Sequence, residues 1–147
     1  MMKLCQWGDV AIIRLSREDP AFYAYLGPFF GSRAAARELG MPIYDDPGRI
    51  WLVALTVEGP VGCGSLEIKN HKAALKSGWV LPEHRKKGLY NALFEERLKL
   101  AAEAGATMVT ATCTDASRNT HLRHGFAEIG RRGRYYLMQK ELTHGDN

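Results

Sequence analysis

A short basic turn, Arg85-Lys86-Lys87-Gly88, is the stretch of this sequence best suited to chemistry on an anion. It lies between an extended apolar segment that ends at Pro82 and a helical pattern from Leu89 to Ala104. The first turn of a helix leaves its N–H groups without internal partners, and the helix dipole places positive potential on them. Basic side chains add formal charge there, and we expect Gly88 to let a ligand approach the backbone closely. The pattern predicts a phosphate-binding turn; a solvated basic turn is the simpler alternative.

The elements that would position this turn follow from the periodicity of the chain. Glu58-Gly59-Pro60 predicts a hairpin, and the strand after the long helix is predicted to lie parallel to the strand before it. The first helix is expected to end at Gly27-Pro28. In chain order we predict strand 10–15, helices 21–26 and 33–39, strands 50–57, 61–68 and 73–81, helix 89–104, strand 106–113, helix 116–124, and strands 126–130 and 135–140.

The length and composition of the chain limit the classes of protein to which it can belong. With 147 residues and 46% apolar content, we expect one domain over residues 1–147, with a polar tail at 143–147. Cys5, Cys63 and Cys113 stand singly, which argues against a disulfide framework and favours a reducing cytoplasm. The longest apolar runs fall far short of the ~18 residues that span a membrane, and no export signal is expected.

Charge suggests a polyanionic ligand. The net charge is +4, and the excess lies in the second half, with six basic and seven acidic residues through Glu58 and 14 and nine after it. Nucleic acid would satisfy the same excess. However, acidic residues interrupt the positive charge and no basic arm is present, so a nucleic-acid-binding module is the weaker interpretation.

The basic turn and its flanks resemble a known signature. Arg85-x-x-Gly88-x-Tyr90, led by Val80-x-Pro82 and followed by Leu93, is similar to the acyl-CoA-binding motif of the GNAT N-acetyltransferase superfamily, usually Arg or Gln-x-x-Gly-x-Gly or Ala. Tyr90 stands where the family usually has a small residue. The predicted element order is also similar to the GNAT topology. The resemblance implies an α/β (α+β) fold, with a mixed, mostly antiparallel sheet of six to seven strands, about four helices and one central β-α-β unit.

The resemblance also implies where acetyl-CoA, or another short acyl-CoA, would bind as co-substrate. The strand before the turn would pair with the pantetheine arm, and a backbone amide near Val80 would stabilise the oxyanion. The turn and the helix start would hold the diphosphate. The implied cofactor-binding residues are Trp79, Val80, Leu81, Arg85, Lys86, Lys87, Gly88, Leu89 and Tyr90.

A second resemblance concerns proton transfer. Leu122-Arg123-His124-Gly125-Phe126 is similar to the family's closing segment, which places His121 at the usual tyrosine position and Thr114 at the usual asparagine position. An attacking amine, with a pKa of ~8 to 10.4, must lose a proton, whereas a thiol of ~8.5 leaves tolerably as thiolate. A base is therefore needed more than an acid. The candidate catalytic residues are Glu67, Asp115, His121 and His71, and each has the alternative of being a solvated or paired residue.

Several other patterns have structural alternatives. Gly62-x-Gly64 lacks the third glycine of a dinucleotide motif, and a β-bulge explains it more simply. His121 and His124 have no third ligand spaced near them, so no metal site is expected. Cys113 could carry an acyl group, although a buried structural cysteine is the default. The aromatic residues Phe22, Tyr23, Tyr25, Phe29 and Phe30 either cover an acceptor groove or pack into the core.

The resulting hypothesis is an N-acetyltransferase that moves an acetyl group directly from acetyl-CoA to a primary amine of a small molecule or peptide. The alternative is a binding protein of the same fold that holds acyl-CoA without turnover, which the absence of the usual tyrosine favours. Membership of the family would be compatible with a homodimer.

Overall fold

One mixed eight-stranded sheet organises the computed structural model, which describes residues 1–142. Its strands lie in the order β1-β2-β3-β4-β5-β6-β8-β7. The strands are β1 (Met2–Trp7), β2 (Val10–Leu15), β3 (Arg49–Thr56), β4 (Gly59–Lys69), β5 (Lys72–Val80), β6 (Met108–Cys113), β7 (Ala127–Arg132) and β8 (Tyr135–Glu141). The helices are α1 (Phe22–Phe30), α2 (Arg33–Leu39), α3 (Leu89–Glu103) and α4 (Asp115–Arg123), and a 3-10 turn spans Pro82–His84.

The pairing of β5 with β6 positions the site. It is parallel, while the other neighbouring strands pair antiparallel. It is also short, running from Lys72 opposite Met108 to Leu75 opposite Ala111. Beyond Leu75 the two strands separate, although β5 continues to Val80. The second half of β5 therefore presents an edge to a gap inside the sheet.

Hydrophobic packing fixes the two faces of the sheet. On one face α3 buries Leu93 and Phe94 against strand residues such as Leu52 and Leu66. On the other face α1 buries Leu26 and Phe29 in a second cluster. Each side chain named here is at least 98% buried, and full burial of such a side chain stabilises a fold by about 1.5–3 kcal/mol. The rim of the gap is thus held by well-packed elements on both sides.

The main predictions about the fold are confirmed. The sheet is mixed and mostly antiparallel, four helices flank it, the 58–60 hairpin is present, and β6 lies parallel to β5. Helix α2 has the predicted bounds, with the Ser32 hydroxyl accepting a hydrogen bond from the Ala35 N–H at its start. The predicted polar tail, 143–147, lies outside the described residues. In the part of the chain that the structure covers, no helix has the length and hydrophobicity needed to span a bilayer.

Two predictions about the first 30 residues are wrong. The sheet has an eighth strand, β1, because Gly8-Asp9 forms a two-residue turn that pairs Trp7 with Val10. Helix α1 continues through Gly27-Pro28 to Phe30. Burial of Phe29 against the Trp79 ring, with ring centroids 6.2 Å apart, offsets the hydrogen bond that proline removes.

Candidate functional site

Two connected clefts open where β5 and β6 separate. The wider cleft has a volume of about 680 Å³ and the narrower one about 310 Å³. They share five lining residues, so the two clefts meet along these residues. The shared residues are Leu39, Gly78, Tyr90, Thr114 and Ser117.

The basic turn forms the start of α3 at the wider cleft. Gly88 adopts a left-handed conformation with φ of 83°, no side chain caps the helix, and the first helical hydrogen bond runs from the Ala92 N–H to the Gly88 oxygen at 2.9 Å. Lys86 also has a positive φ of 64°, which is uncommon outside glycine. Residues 85–88 are exposed, so the uncapped N–H groups and the basic side chains can reach an anion from solvent.

The structure contradicts the predicted role of Gly88. We expected its missing side chain to leave room for a ligand. A Cβ at this position would instead come within 2.8 Å of the indole ring of Trp7, whose Nε1 donates a 2.9 Å hydrogen bond to the Lys87 oxygen. Gly88 is therefore required by its backbone conformation and by the contact with β1, and its amide remains available.

Arg85 points back over the end of β5. Its Nε donates to the Val80 oxygen at 2.9 Å, and its guanidinium forms an ion pair with Glu38 on α2, with Nη2 and Oε2 2.5 Å apart. Glu38 also accepts a 2.6 Å hydrogen bond from Nε1 of the buried Trp79. The Arg85 guanidinium holds the pKa of Glu38 below its ordinary value. Partial burial opposes this shift, and the hydrogen bond from Trp79 lowers the pKa further. The three side chains form a closed cluster at the mouth of the wider cleft.

The free edge of β5 lies beneath this cluster. The Leu81 N–H donates to the Val61 oxygen on β4 at 2.9 Å, so it faces away from the gap. Because successive residues of a strand direct their polar groups to opposite edges, the N–H and C=O of Val80 face the gap. The Arg85 contact with the Val80 oxygen agrees with this orientation.

The predicted catalytic carboxylates occupy different places. Asp115, the first residue of α4, lines the wider cleft and accepts a 2.6 Å hydrogen bond from the Tyr136 hydroxyl. Glu67, on β4, does not line either cleft; it forms a 3.2 Å ion pair with Arg49, which lines the narrower one. His71 lies in the turn between β4 and β5 with Nδ1 3.3 Å from the Gly105 oxygen, at the opposite end of the paired segment from the clefts.

His121 lies on the wall of the narrower cleft but is 4% exposed. Nδ1 lies 2.8 Å from the Ser117 oxygen, and since a carbonyl only accepts, this nitrogen carries the proton. The ring packs against Phe94 and Phe126. Burial lowers the pKa of His121 to about 4, although the contact with Ser117 opposes that shift. The imidazole is therefore neutral at pH 7.

Arg97, whose buried guanidinium lies under the gap, was not predicted from the sequence. It is 2% exposed, and its Nη1 donates to the Ser65 and Lys76 oxygens, both at 3.3 Å. Glycines leave the space for it, because a Cβ at Gly64 or Gly78 would come within 2.9 Å of its Nε or Nη2. The available signal was a charged residue on the apolar stripe of α3.

Tyr90 stands beside Arg97 and lines both clefts. A Cβ at Gly78 would lie 3.3 Å from its hydroxyl oxygen. Burial lowers the pKa of Arg97, and the Tyr90 hydroxyl partly counteracts this by stabilising the charged form. The motif departure at Tyr90 therefore places a phenol where the two clefts meet.

Comparison with known proteins agrees with this geometry. The family model described as "Acetyltransferase (GNAT) family" matches residues 13–126, well over half of the chain. The chain belongs to the GNAT acetyltransferase family. The predicted family and fold are thereby confirmed. No curated protein matches it in sequence.

Solved GNAT structures share the fold at low sequence identity. A GNAT acetyltransferase from Staphylococcus aureus has a TM-score of 0.72 at 18% identity, covering 91% of this chain and 99% of that one. PaiA N-acetyltransferase from Thermoplasma acidophilum, solved with coenzyme A, has a TM-score of 0.65 at 15% identity, covering 90% and 99%. A GNAT acetyltransferase from Elizabethkingia anophelis with acetyl-CoA bound has a TM-score of 0.64 at 14% identity, covering 92% and 99%.

The structure brings together most of the residues predicted to contact the cofactor in this GNAT chain. Trp79, Val80, Arg85, Lys86 and Tyr90 line the wider cleft. The other predicted residues adjoin it in sequence: Leu81 follows β5, Lys87 and Gly88 complete the turn, and Leu89 is buried at the start of α3.

Proposed function

We propose that this chain transfers an acetyl or other short acyl group from acyl-CoA to a primary amine. The observation that carries the proposal is the free edge of β5 beside an uncapped, basic helix start, because the two together suit a peptide-like arm joined to a diphosphate. Family membership supports the same chemistry. The acyl-CoA would occupy the wider cleft and the amine would enter from the narrower one.

The diphosphate would be held by the N–H groups at the start of α3, with Lys86 and Lys87 adding charge. The pantetheine arm would hydrogen-bond to the edge at Val80. This edge contacts Arg85, whose guanidinium would turn from Glu38 towards a phosphate when acyl-CoA binds.

In the reaction the amine nitrogen attacks the thioester carbonyl, and the Val80 N–H is aimed at the gap where the oxyanion would form. Collapse of the tetrahedral intermediate breaks the C–S bond and releases thiolate. We assign the proton donor for that thiolate to Tyr90, because its hydroxyl lies at the junction of the two clefts.

The proton lost by the amine needs a different acceptor. His121 is 4% exposed, so the attacking amine has little access to its imidazole. Glu67 lines neither cleft and is paired with Arg49. Asp115 is exposed on the cleft, so we assign it the role of accepting the proton through water.

Two measurements test the proposal. Calorimetry should detect coenzyme A binding, and Lys86→Gln should weaken it about tenfold, the loss of one charge-assisted contact. Lys72→Gln, at the far end of β5, is the matched control and should leave it unchanged. A thiol-release assay with acetyl-CoA and a panel of primary amines should show turnover.

The same measurements separate the alternatives. Binding without thiol release for any amine would favour an acyl-CoA-binding protein that lacks turnover, which is compatible with the absence of a tyrosine at His121. Failure to bind coenzyme A would refute both.

The cysteines Cys5, Cys63 and Cys113 are free thiols, which supports our assignment to a reducing compartment such as the cytoplasm.

A further inference from the structure

The charged residues that line the narrower cleft are all basic. They are Arg49, Lys76, Arg97 and Arg132, and none of the described residues lining this cleft is an Asp or Glu. Arg49 is paired with Glu67, whereas none of the salt bridges formed within residues 1–142 involves the other three. The cleft that would receive the acceptor therefore carries an excess of positive charge.

Arg97 makes that excess difficult to neutralise from solvent. Its guanidinium keeps its charge at neutral pH, is 2% exposed, and contacts backbone oxygens rather than a carboxylate. Burying a cation without a counter-charge is costly. Lys76 and Arg132 are exposed on the same lining, so counter-ions can reach the rim but not the floor.

A protonated diamine or polyamine would bring further positive charge into this cleft. An amine that also carries an anion would instead supply the missing counter-charge, and its anionic group would be held by Lys76 and Arg132 over the buried Arg97. The volume of about 310 Å³ lies at the small end of ligand pockets, so the acceptor would be a small molecule.

Building on the proposed function, we propose that the acceptor is a small amine bearing a carboxylate or phosphate group. The anion binds the basic lining of the narrower cleft, and the amine is directed towards the junction at Tyr90. Both kinds of anion share the required chemistry, and the two arms of the test distinguish them.

The test measures binding and turnover separately. In the presence of coenzyme A, calorimetry compares free amino acids with their C-terminal amides, and aminoalkyl phosphates with the corresponding aminoalkyl alcohols. We expect the anionic member of at least one pair to bind about tenfold tighter or better, which corresponds to about 1.4 kcal/mol. The pair showing the preference identifies carboxylate or phosphate.

Variants of exposed residues locate the effect without disturbing the core. Lys76→Gln combined with Arg132→Gln should abolish most of the preference for the anionic member. Lys72→Gln combined with Arg131→Gln is the control: it removes the same charge from β5 and β7, but at positions that do not line the cleft. This control variant should keep the preference for the anionic member. A preference lost equally in both double variants would contradict a local site.

The outcomes separate this inference from the proposed function. Equal binding of the anionic and neutral members, or tighter binding of diamines, would overturn the inference even where thiol release proves acyl transfer. Anion-dependent binding without thiol release for any amine would support the anion site in the narrower cleft, but it would refute the transferase proposal and with it the role of that amine as acceptor.

Discussion

Removing the charge of Glu38 should lower stability slightly and raise affinity for coenzyme A. Glu38 holds Arg85 over the Val80 oxygen, on the strand edge that the pantetheine arm would use. Glu38→Gln keeps an oxygen that can accept from the Trp79 Nε1 but removes the ion pair. Glu38→Ala removes both interactions. The two variants therefore separate the release of Arg85 from the loss of support for Trp79.

The expected changes in stability and affinity follow from how exposed the interacting side chains are. The Glu38 and Arg85 side chains are 43% and 39% exposed, so solvent screens the pair, and we expect it to contribute at most about 1 kcal/mol. Trp79 is 4% exposed, and leaving its N–H without an acceptor costs about 1–3 kcal/mol. Glu38→Gln should thus cost at most about 1 kcal/mol and Glu38→Ala about 1–4 kcal/mol. The freed Arg85 should tighten coenzyme A binding up to about fivefold, the equivalent of the lost pair.

Urea unfolding and calorimetry with coenzyme A measure the two effects. The pKa of Glu38 is lowered in the folded protein, chiefly by its hydrogen bond from Arg85, so its stabilisation is present above the ordinary pKa and is lost as pH falls through the folded value. The stability difference between wild type and Glu38→Gln should therefore shrink in acid. Weaker coenzyme A binding by Glu38→Gln would refute the idea that this ion pair restrains Arg85.

Three further predictions concern the cleft. Tyr90→Phe should lower kcat for acyl transfer about 100-fold or more with little change in the Kd of coenzyme A; an unchanged kcat would exclude it as the acid. Gly64→Ala should lower the free energy of unfolding in urea by about 1–3 kcal/mol, since its Cβ would lie 2.9 Å from a buried guanidinium. Gly130→Ala, whose Cβ would make an ordinary 3.5 Å contact, is the control. Equal losses of stability in the two variants would contradict this explanation. Because the pKa of His121 falls from 6.5 to about 4, the free energy of unfolding of wild type should fall by up to about 3 kcal/mol between about pH 7 and about pH 4. His121→Asn should show a smaller fall. If His124→Asn showed the same smaller fall, the acid sensitivity could not be assigned to His121.

The fold could largely be predicted because local signals and the global topology agree. The capped helix α2 and the 58–60 hairpin depend on residues adjacent in sequence. The error at α1 arose where packing overrides a local signal. Pro28 normally ends a helix, yet α1 continues because Phe29 is buried, and sequence periodicity does not measure that burial.

The cofactor side of the site was easier to predict than the catalytic side. The basic turn is contiguous, so its composition and spacing are visible in the sequence. The cluster of Glu38, Trp79 and Arg85 joins residues up to 47 positions apart, and Trp7 meets Lys87 across 80 positions. Such contacts depend on strand order and register, which no local motif contains.

Two of the departures from the family motifs acquire a joint meaning in the structure. His121 stands where a tyrosine is usual, and Tyr90 stands where a small residue is usual; both side chains line the narrower cleft, from α4 and α3 respectively. A phenol is thus present in the cleft, supplied by the other helix. Its position depends on Gly78, where a side chain would collide with both Tyr90 and Arg97. The positions of Gly78, Tyr90 and Arg97 therefore depend on one another. A phenol supplied by α3 instead of α4 is compatible with the same acid chemistry.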